Sequence, residues 1–449
     1  MDISLKGFLQ PEKGEQNLKA IDAILRSQKP EARSQKSDEV ISIITEESAS
    51  SFDPDRALNN FERFFASNED ASLLDKIFSE AVKNIKTLSL LFSGSQYLSD
   101  ILIKTPSYIT WLLNPEIIEK TRFKDKMYDD ISRRFYNSAD YKEKMAILRR
   151  FRNMEFLRIG LRDLARKADT AETMEDLSNV ADVCLQIAYE HCNGELIKKY
   201  GVSYFEDMDG TKNTCEFTIL GMGKLGGKEL NFSSDIDILY IYSSDKGSTD
   251  GIRSSEGRIE GRITNHEYYV QLSRMITKMI SEITDEGYVF RIDLDLRPEG
   301  RSGDITNSLR SAEIYYESWG ETWERQALLK CRPVAGSMEL GRQFLEMIRP
   351  FIFRKYLDFS ALREIKDMKD KINISLEQRK SIGENVKLGY GGIREIEFIV
   401  QSFQLIYGGR EKWLREKNSL RSLHRISEKG FLSYTEYFSL SNAYLFLRD

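Results

Sequence analysis

The chain has 449 residues, of which 41% are hydrophobic and 31% charged, a composition typical of a soluble protein with two or three domains. Its formal net charge of −5 disfavours a polymerase-like role on DNA or RNA, for which a basic surface is typical. No apolar stretch is long enough to cross a bilayer and no signal-peptide pattern is present, so we expect no membrane association and a cytoplasmic location. The four cysteines lack CxxC spacing, which predicts reduced structural thiols rather than a zinc site or disulfides.

Helical patterns dominate the first part of the chain, and residues 1–204 are predicted to form an N-terminal helical region. Within it, residues 26–39 are polar and charged, which predicts a mobile connector. Farther along, Arg158, Arg162 and Arg166 are spaced by four residues and form one ridge of a helix. We interpret this ridge as a solvated, salt-bridged face; the alternative is a ridge that faces an anionic ligand.

A different pattern begins after residue 204, and residues 205–336 are predicted to form a catalytic module. A turn rich in glycine and lysine precedes an apolar run, residues 236–242, that is typical of a strand. Because side chains alternate faces along a strand, Asp235 and Asp237 point the same way. Two adjacent carboxylates repel each other unless a cation lies between them, and hard oxygen ligands suit Mg²⁺ or Mn²⁺. The pair therefore predicts a metal site.

The glycine turn adds a phosphate-binding element to this prediction. Gly226 and Gly227 can let backbone N–H groups approach a phosphate closely. An isolated Asp-x-Asp is more often a solvated strand or loop than a metal site. The glycine turn beside it favours a metal-dependent nucleotidyl-transfer site.

A second acidic strand is predicted over residues 288–296. Strict alternation places Arg291, Asp293, Asp295 and Arg297 on one face of it. A third carboxylate from this strand would complete a site for two metal ions, which lie about 3.5–4 Å apart in such enzymes. The strands and the helix between them predict a mixed sheet backed by helices, so the fold class is α+β and predominantly helical.

The segments around these strands are harder to assign. Residues 243–262 are rich in Ser, Gly and charge; we favour a disordered tether over a lid. Arg297 and Arg301 have the forked donors that suit phosphate, although free surface arginines are an equal alternative. Residues 337–449 are predicted to be a C-terminal helical region. The last nine residues lie within a good helix, so we expect this region to be truncated.

These motifs resemble the glutamine synthetase adenylyltransferase/adenylyl-removing enzyme family, within the DNA polymerase β-like nucleotidyltransferase superfamily. The resemblance is strongest over residues 221–237 and extends from about residue 85 to the end of the chain. The further segments that carry it are residues 92–100, 148–152, 157–165, 296–303, 322–327, 330–336 and 387–398.

The resemblance implies a polymerase β-like mixed sheet flanked by helical domains. It also implies two Mg²⁺ or Mn²⁺ ions, with Asp235 and Asp237 as ligands of both and Asp293 as a ligand of one. Asp295 departs from the family pattern, so it either replaces Asp293 as a ligand or pairs with a neighbouring arginine. The nucleotide- and phosphate-binding positions that we assign are Gly226, Gly227, Ser234, Arg297, Arg301, Lys330 and Arg332.

Family members carry two such domains in tandem, one that removes AMP from a tyrosine of glutamine synthetase and one that attaches it. Residues 391–397 resemble the N-terminal, adenylyl-removing half, which implies phosphorolysis of adenylylated glutamine synthetase to ADP and the free tyrosine. The expected partners are glutamine synthetase, a PII-type signal protein, phosphate and adenine nucleotide. Two alternatives stay open: forward adenylyl transfer from ATP, and a non-catalytic docking module for the signal protein.

Overall fold

The structure is a computed structural model that describes residues 7–27, 34–68, 70–207, 209–354, 386–387, 389 and 391–448. The chain forms two compact units. The first comprises Met1–Met127 and Arg150–Asp176, and the second comprises Tyr128–Arg149 and Leu177–Asp449. The second unit therefore includes stretches of the region that the sequence assigns to N-terminal helices.

The described residues between 7 and 200 are helical almost throughout. In chain order, these helices are α1 (Pro11–Ser27), α2 (Ser34–Ala49), α3 (Pro54–Ser67), α4 (Ala71–Ser79), α5 (Ala81–Gly94), α6 (Gln96–Lys104), α7 (Ile109–Leu112), α8 (Pro115–Glu119), α9 (Lys124–Asn137), α10 (Tyr141–Leu164) and α11 (Thr170–Tyr200). The predicted connector over residues 26–39 is wrong at both ends, because α1 extends to Ser27 and α2 begins at Ser34. Its centre, residues 28–33, lies outside the described residues.

Helix α3 illustrates how the first unit forms its core. The Asp53 carboxylate caps the helix by accepting the Arg56 backbone N–H at 3.0 Å, which satisfies one of the N–H groups that a helix start leaves open. Phe61 and Phe64 are fully buried and contact the ring of Phe92 on α5. Each buried phenylalanine contributes about 1.5–3 kcal/mol relative to an exposed one.

The arginine ridge on α10 is buried rather than solvated at two of its positions. Arg158 donates from Nε to Glu155 and from Nη2 to Asp176, both at 2.8 Å. Arg162 donates to Glu172 at 2.6 Å. The predicted salt bridges are confirmed at these two positions, but the prediction of a solvated face is wrong there, and these buried charges have partners of opposite sign. Carboxylates of the same unit bind these guanidinium groups.

The second unit is built on a mixed sheet. Its strands are β3 (Phe217–Gly221), β4 (Ile236–Tyr242), β8 (Ile292–Asp293), β9 (Asn307–Ser308) and β10 (Arg332–Gly336). The order is β10-β3-β4-β8, and β9 pairs with β4 near its far end. The pairs β10–β3 and β3–β4 are antiparallel, whereas β4 runs parallel to β8 and β9. The α+β prediction is confirmed.

Helices cover both faces of β4. They are α12 (Gly223–Gly226), α13 (Asn265–Ser281), α14 (Leu309–Ser318), α15 (Thr322–Leu328) and α16 (Met338–Ile352). On one face, the Tyr240 hydroxyl lies 3.0 Å from the Thr277 hydroxyl on α13. On the other, Leu239 and Ile241 belong to a hydrophobic core that includes Phe344 of α16. Packing against helices on both faces therefore holds β4 in place.

The segment from 243 to 262 is ordered into short strands, so the disordered tether is a wrong prediction. It contains β5 (Ser248–Thr249), β6 (Ile252–Arg253) and β7 (Ile259–Glu260). Strands β6 and β7 form an antiparallel hairpin, while β5 pairs with β1 (Ser203–Glu206), which also pairs with β2 (Lys212–Thr214).

The C-terminal helical prediction holds in the described part of residues 337–449. Helices α17 (Ile393–Tyr407), α18 (Ser419–Glu428) and α19 (Tyr434–Arg448) enclose a second hydrophobic core. All four cysteines are buried, as expected of structural thiols. Among the described residues, no helix has both the length and the apolar character required to cross a membrane.

Candidate active site

Strand β4 presents the predicted carboxylates at its beginning. It spans Ile236–Tyr242, which are the predicted bounds, and Ile236, Ile238 and Tyr240 are buried as predicted. Asp237 lies in the strand and Asp235 directly precedes it. Buried neighbours on both sides leave this end of the strand little freedom, so the sheet fixes where the Asp237 carboxylate lies.

The third carboxylate comes from β8. The parallel register pairs Ile236 with Ile292 and Asp237 with Asp293, which places these two aspartates directly opposite each other on adjacent strands. Asp295 lies beyond the strand, and its carboxylate pairs with Arg301 at 2.8 Å. The geometry therefore favours Asp293 over Asp295 as the third carboxylate of the site, because Asp293 lies opposite Asp237. Asp295 instead pairs with an arginine, as the second alternative stated.

Burial and neighbouring carboxylates determine the electrostatics of Asp237. Burial, and then the neighbouring carboxylates of Asp293 and Asp235, raise the pKa of Asp237 to about 6. The ionised form of Asp237, which these neighbours disfavour, would be stabilised by a divalent cation beside it. The donor set of carboxylate oxygens fits Mg²⁺ or Mn²⁺. Asp237 and Asp293 are the residues best placed to hold such an ion.

Asp235 has a different environment from the other two aspartates. The guanidinium of Arg291 forms a close ion pair with its carboxylate and donates a second hydrogen bond to the Ser233 carbonyl at 2.8 Å. Correspondingly, no three Asp, Glu, His or Cys side chains in the described ranges form a ready-made metal-ligand group. For Asp235 to join a metal site, its carboxylate must exchange Arg291 for the cation.

The glycine next to the carboxylates is Gly223, which sequence reasoning did not single out. Its φ is +50°, and a Cβ built there would lie 2.6 Å from Asp237 Oδ2. Gly226 instead approaches the Lys330 carbonyl, where a Cβ would lie at 2.1 Å. At Gly227 a Cβ would lie 2.9 Å from Glu229 and 3.1 Å from the Lys417 carbonyl. The geometry gives these two glycines a packing reason, and only Gly223 borders the carboxylates.

Lys224 is a second residue that the sequence analysis missed. Its ammonium donates to the Ser234 hydroxyl at 3.3 Å, so it lies with one of the predicted phosphate-binding positions. Burial, and then the charges of Arg448 and Lys387, lower its pKa to about 8, while Asp237 opposes that shift. A cation so placed beside carboxylates can bind a phosphate. The position of Lys224 in the sequence carries no distinctive spacing by which it could have been found.

The two predicted arginines of the loop after β8 have internal partners. Arg297 donates to the carbonyls of Leu294 at 2.9 Å and Gly303 at 3.3 Å, which holds the loop closed. Arg301 is largely exposed and pairs with Asp295. Of the two, Arg301 has the freedom to reach a ligand, because an exposed ion pair costs little to open.

Lys330 and Arg332 lie in buried ion pairs. The Lys330 ammonium donates to Glu229 at 2.6 Å, Glu397 at 3.0 Å and the Ser419 hydroxyl at 3.0 Å, which uses all three of its donors. Arg332 forms a forked pair with Asp182 at 2.8 and 2.9 Å. These donors are occupied within the protein, which gives both residues a structural role, and their assignment to phosphate binding stays a prediction.

Comparison with known families identifies two matching regions. A family model described as glutamate-ammonia ligase adenylyltransferase matches residues 85–347, which include every carboxylate of the site. A second, described as GlnD PII-uridylyltransferase, matches residues 365–449. The first match covers more than half of the chain.

Curated relatives with the name bifunctional glutamine synthetase adenylyltransferase/adenylyl-removing enzyme are similar over most of this chain. The protein from Nitrosococcus oceani is 38% identical over 393 residues, which are 88% of this chain and 39% of that protein. Its counterpart from Pseudomonas aeruginosa is 36% identical over 84% of this chain and 37% of its own length. That from Thioalkalivibrio sulfidiphilus is 37% identical, over 81% and 36% respectively. The matched region thus spans little more than a third of these relatives.

Proposed function

Since this chain belongs to the glutamate-ammonia ligase adenylyltransferase family, we propose that it removes AMP from adenylylated glutamine synthetase by metal-dependent phosphorolysis. The observation that carries the proposal is the register of β4 and β8, which sets Asp237 opposite Asp293 beside the turn at Gly223. The names of the similar proteins support glutamine synthetase as the substrate.

In this reaction, an oxygen of inorganic phosphate forms a bond to the phosphorus of the AMP group. The bond from that phosphorus to the tyrosine oxygen breaks, the tyrosine regains a proton, and ADP leaves. Phosphate is already a nucleophile near neutral pH, so a strong general base is not required. The demand is for charge neutralisation and in-line positioning, which suits a site of carboxylates and cations without a histidine.

Different residues would hold the cation and bind the phosphate. A divalent cation, when bound, supplies the positive charge that neutralises phosphoryl oxygens. Asp237 and Asp293 would hold it, and Asp235 would contribute after release from Arg291. Lys224, whose ammonium donates to the Ser234 hydroxyl next to Asp235, would bind a phosphate oxygen in the same region.

The direction of the reaction is supported by sequence rather than by geometry. Residues 391–397 resemble the adenylyl-removing half of the family. Forward transfer of AMP from ATP is the second candidate, since the matched family description names an adenylyltransferase and the same carboxylates would serve it. We propose a PII-type signal protein as a regulatory partner, on the strength of the match of residues 365–449 to a PII-uridylyltransferase.

The test is an incubation of the purified chain with adenylylated glutamine synthetase and Mg²⁺, with and without phosphate. We expect ADP release only when phosphate is present. In Asp237→Asn, the rate of ADP release should fall by about 10²–10³-fold, the loss typical when one group that stabilises transition-state charge is removed. Asp295→Asn is the matched control, because Asp295 pairs with Arg301 outside the pair of strands.

The outcomes separate the candidate functions. Incorporation of AMP from ATP into unmodified synthetase, without release in the first assay, would reverse the direction. The absence of both ADP release and AMP incorporation would favour a non-catalytic docking module. Equal ADP release by the wild type and by Asp237→Asn would refute the assigned site.

A further inference from the structure

Four charged side chains of the second unit are buried together, and we refer to Glu229, Lys330, Glu397 and Arg448 as the buried ion network. Lys330 donates to Glu229 at 2.6 Å and to Glu397 at 3.0 Å, and Arg448 donates to Glu397 at 3.2 Å. Two cations thus face two carboxylates, and the charges balance. The exposed fraction of these side chains is 0% for Glu229 and Arg448, 6% for Lys330 and 19% for Glu397.

The network joins the glycine turn, which contains Gly226 and Gly227, to the C-terminal helices. Glu229 lies between the glycine turn and β4, and its carboxylate also accepts the Ser419 backbone N–H at the start of α18. Next to it, the Asn418 side chain donates to the Gly227 carbonyl at 3.2 Å. A Cβ at Gly227 would lie 3.1 Å from the Lys417 carbonyl, so a larger residue here would be tightly packed. The turn is therefore held against α18 by both charge and close packing.

Arg448 brings the last described helix, α19, into the same arrangement. Its Nη1 donates to the Asn231 side chain at 3.1 Å, while its Nη2 donates to the Tyr444 hydroxyl at 2.7 Å as well as to Glu397. Asn231 lies in the short link between Glu229 and the first catalytic aspartate. One arginine thus connects two C-terminal helices to that link.

From Asn231 the connection continues to the carboxylates. The Asn231 backbone N–H donates to the Ser234 hydroxyl at 3.2 Å, and the Ser234 N–H donates back to the Asn231 carbonyl at 3.1 Å. Ser234 also accepts from Lys224. Asp235 is the next residue. A displacement of Asn231 therefore moves Ser234, Lys224 and the start of β4 together.

We propose that Arg448 and Glu397 are positioning residues of the active site, which act through Asn231 and Ser234 to place Asp235 and Asp237. The inference rests on the proposed function and extends it to the C-terminal helices. It assigns to α17 and α19 a part in catalysis, although none of their side chains is among the catalytic carboxylates. The helical region matched to the PII-uridylyltransferase model would then be an integral part of the catalytic apparatus.

The physical basis is that each charge of a buried, balanced network depends on its partners within the network. Removing one member leaves an uncompensated charge in the interior, so the remaining members must move or admit water. A shift of about 1 Å at reacting groups can cost about 10²-fold in rate. Because the side chains of the network are largely buried, they offer little surface to which a protein substrate could bind.

The experiment compares Arg448→Gln and Arg448→Lys with Arg415→Gln. Arg415 is a matched control: it is a half-buried arginine in the same helical region, but its side chain donates to the Gly408 carbonyl at 2.7 Å and packs on Phe353, and it is not a member of the buried ion network. Glu397→Gln is a milder second variant, because Glu397 keeps partial exposure. Two measurements are made on each variant: kcat and KM of phosphate-dependent ADP release, and amide hydrogen exchange over residues 226–235.

We expect Arg448→Gln to lower kcat by about 10- to 100-fold with little change in KM, and to speed exchange over residues 226–235. Arg448→Lys should restore part of kcat and part of the protection from exchange, and Arg415→Gln should alter neither kcat nor exchange. Unchanged exchange in both Arg448→Gln and Glu397→Gln would overturn the positioning role, whatever the activity. A wild type without turnover in either direction, combined with faster exchange in Arg448→Gln, would refute the proposed function and still support the structural connection.

Discussion

Replacing Asp237 by asparagine should stabilise the metal-free protein. The substitution keeps the shape of the side chain and removes a charge that the fold disfavours. Burial and the nearby carboxylates of Asp293 and Asp235 raise the pKa of Asp237 from 3.8 to about 6. At 1.36 kcal/mol for each pKa unit, the ionised carboxylate lowers the free energy of unfolding by about 3 kcal/mol at neutral pH.

The pH dependence follows from the sign of this shift. The folded state binds the proton more tightly than the unfolded state, so wild-type stability is highest when the carboxyl is protonated and falls as pH rises from about 4 to about 6. The asparagine side chain of the variant has no such proton to lose. The advantage of the variant should therefore be about 3 kcal/mol at pH 7.5 and about 1 kcal/mol at pH 4.5.

Urea unfolding in EDTA at both pH values measures this difference. Asp295→Asn is the control, and it should give no stabilisation because Arg301 pairs with that exposed carboxylate. Saturating Mg²⁺ should stabilise the wild type selectively, by about 2.7 kcal/mol at a hundredfold excess over Kd, and so erase most of the advantage. A variant less stable than the wild type at pH 7.5, or an advantage that does not shrink in acid, would refute the electrostatic account.

Three further substitutions test other parts of the site. Gly223→Ala should abolish ADP release while far-ultraviolet circular dichroism is retained, since its Cβ would lie 2.6 Å from Asp237 Oδ2 at a φ of +50°; a fully active variant would contradict the close approach. Asp293→Asn should lose activity in the same assay and Asp295→Asn should retain most of it, and the reverse ranking would identify Asp295 as the third ligand. Lys330→Met should lower the free energy of unfolding in urea by about 3–5 kcal/mol because Glu229 loses its ion-pair partner and Glu397 is left with Arg448, and a loss below about 1 kcal/mol would show that Glu229 is solvated in the variant.

Strand β4 could be predicted because its signals are local. Alternation and β-branched residues identify a strand from a few neighbours, and the bounds at Ile236 and Tyr242 agree with the prediction. The second strand was overestimated for an equally local reason. Charges that alternate along residues 288–296 resemble a solvated strand face, but Arg291 pairs with Asp235 and Asp295 pairs with Arg301. These ion pairs accommodate the charges without a strand, and β8 is two residues long.

The roles of the glycines and the basic residues could not be read from sequence because their partners are distant. A side chain at position 226 would collide with the Lys330 carbonyl, so a glycine is needed there. Lys330 in turn pairs with Glu229, from which it is 101 residues distant in the chain. Arg332 pairs with Asp182 across 150 residues. A lysine or arginine near a glycine turn looks the same in sequence whether it binds a phosphate or a buried carboxylate. Only the tertiary structure distinguishes the two.

The parallel pairing of β4 with β8 has a consequence for how the molecule acquires its activity. Arg291 and Asp235, which lie beside the paired strands, are 56 residues apart in the chain. Closing so long a loop costs entropy before any contact repays it, whereas helix contacts are local and form early. We therefore expect the carboxylates to come together late in folding, after most helices have formed. Recovery of catalysis during refolding should lag behind recovery of helix content, so enzymatic activity is a stricter measure of complete folding than helicity.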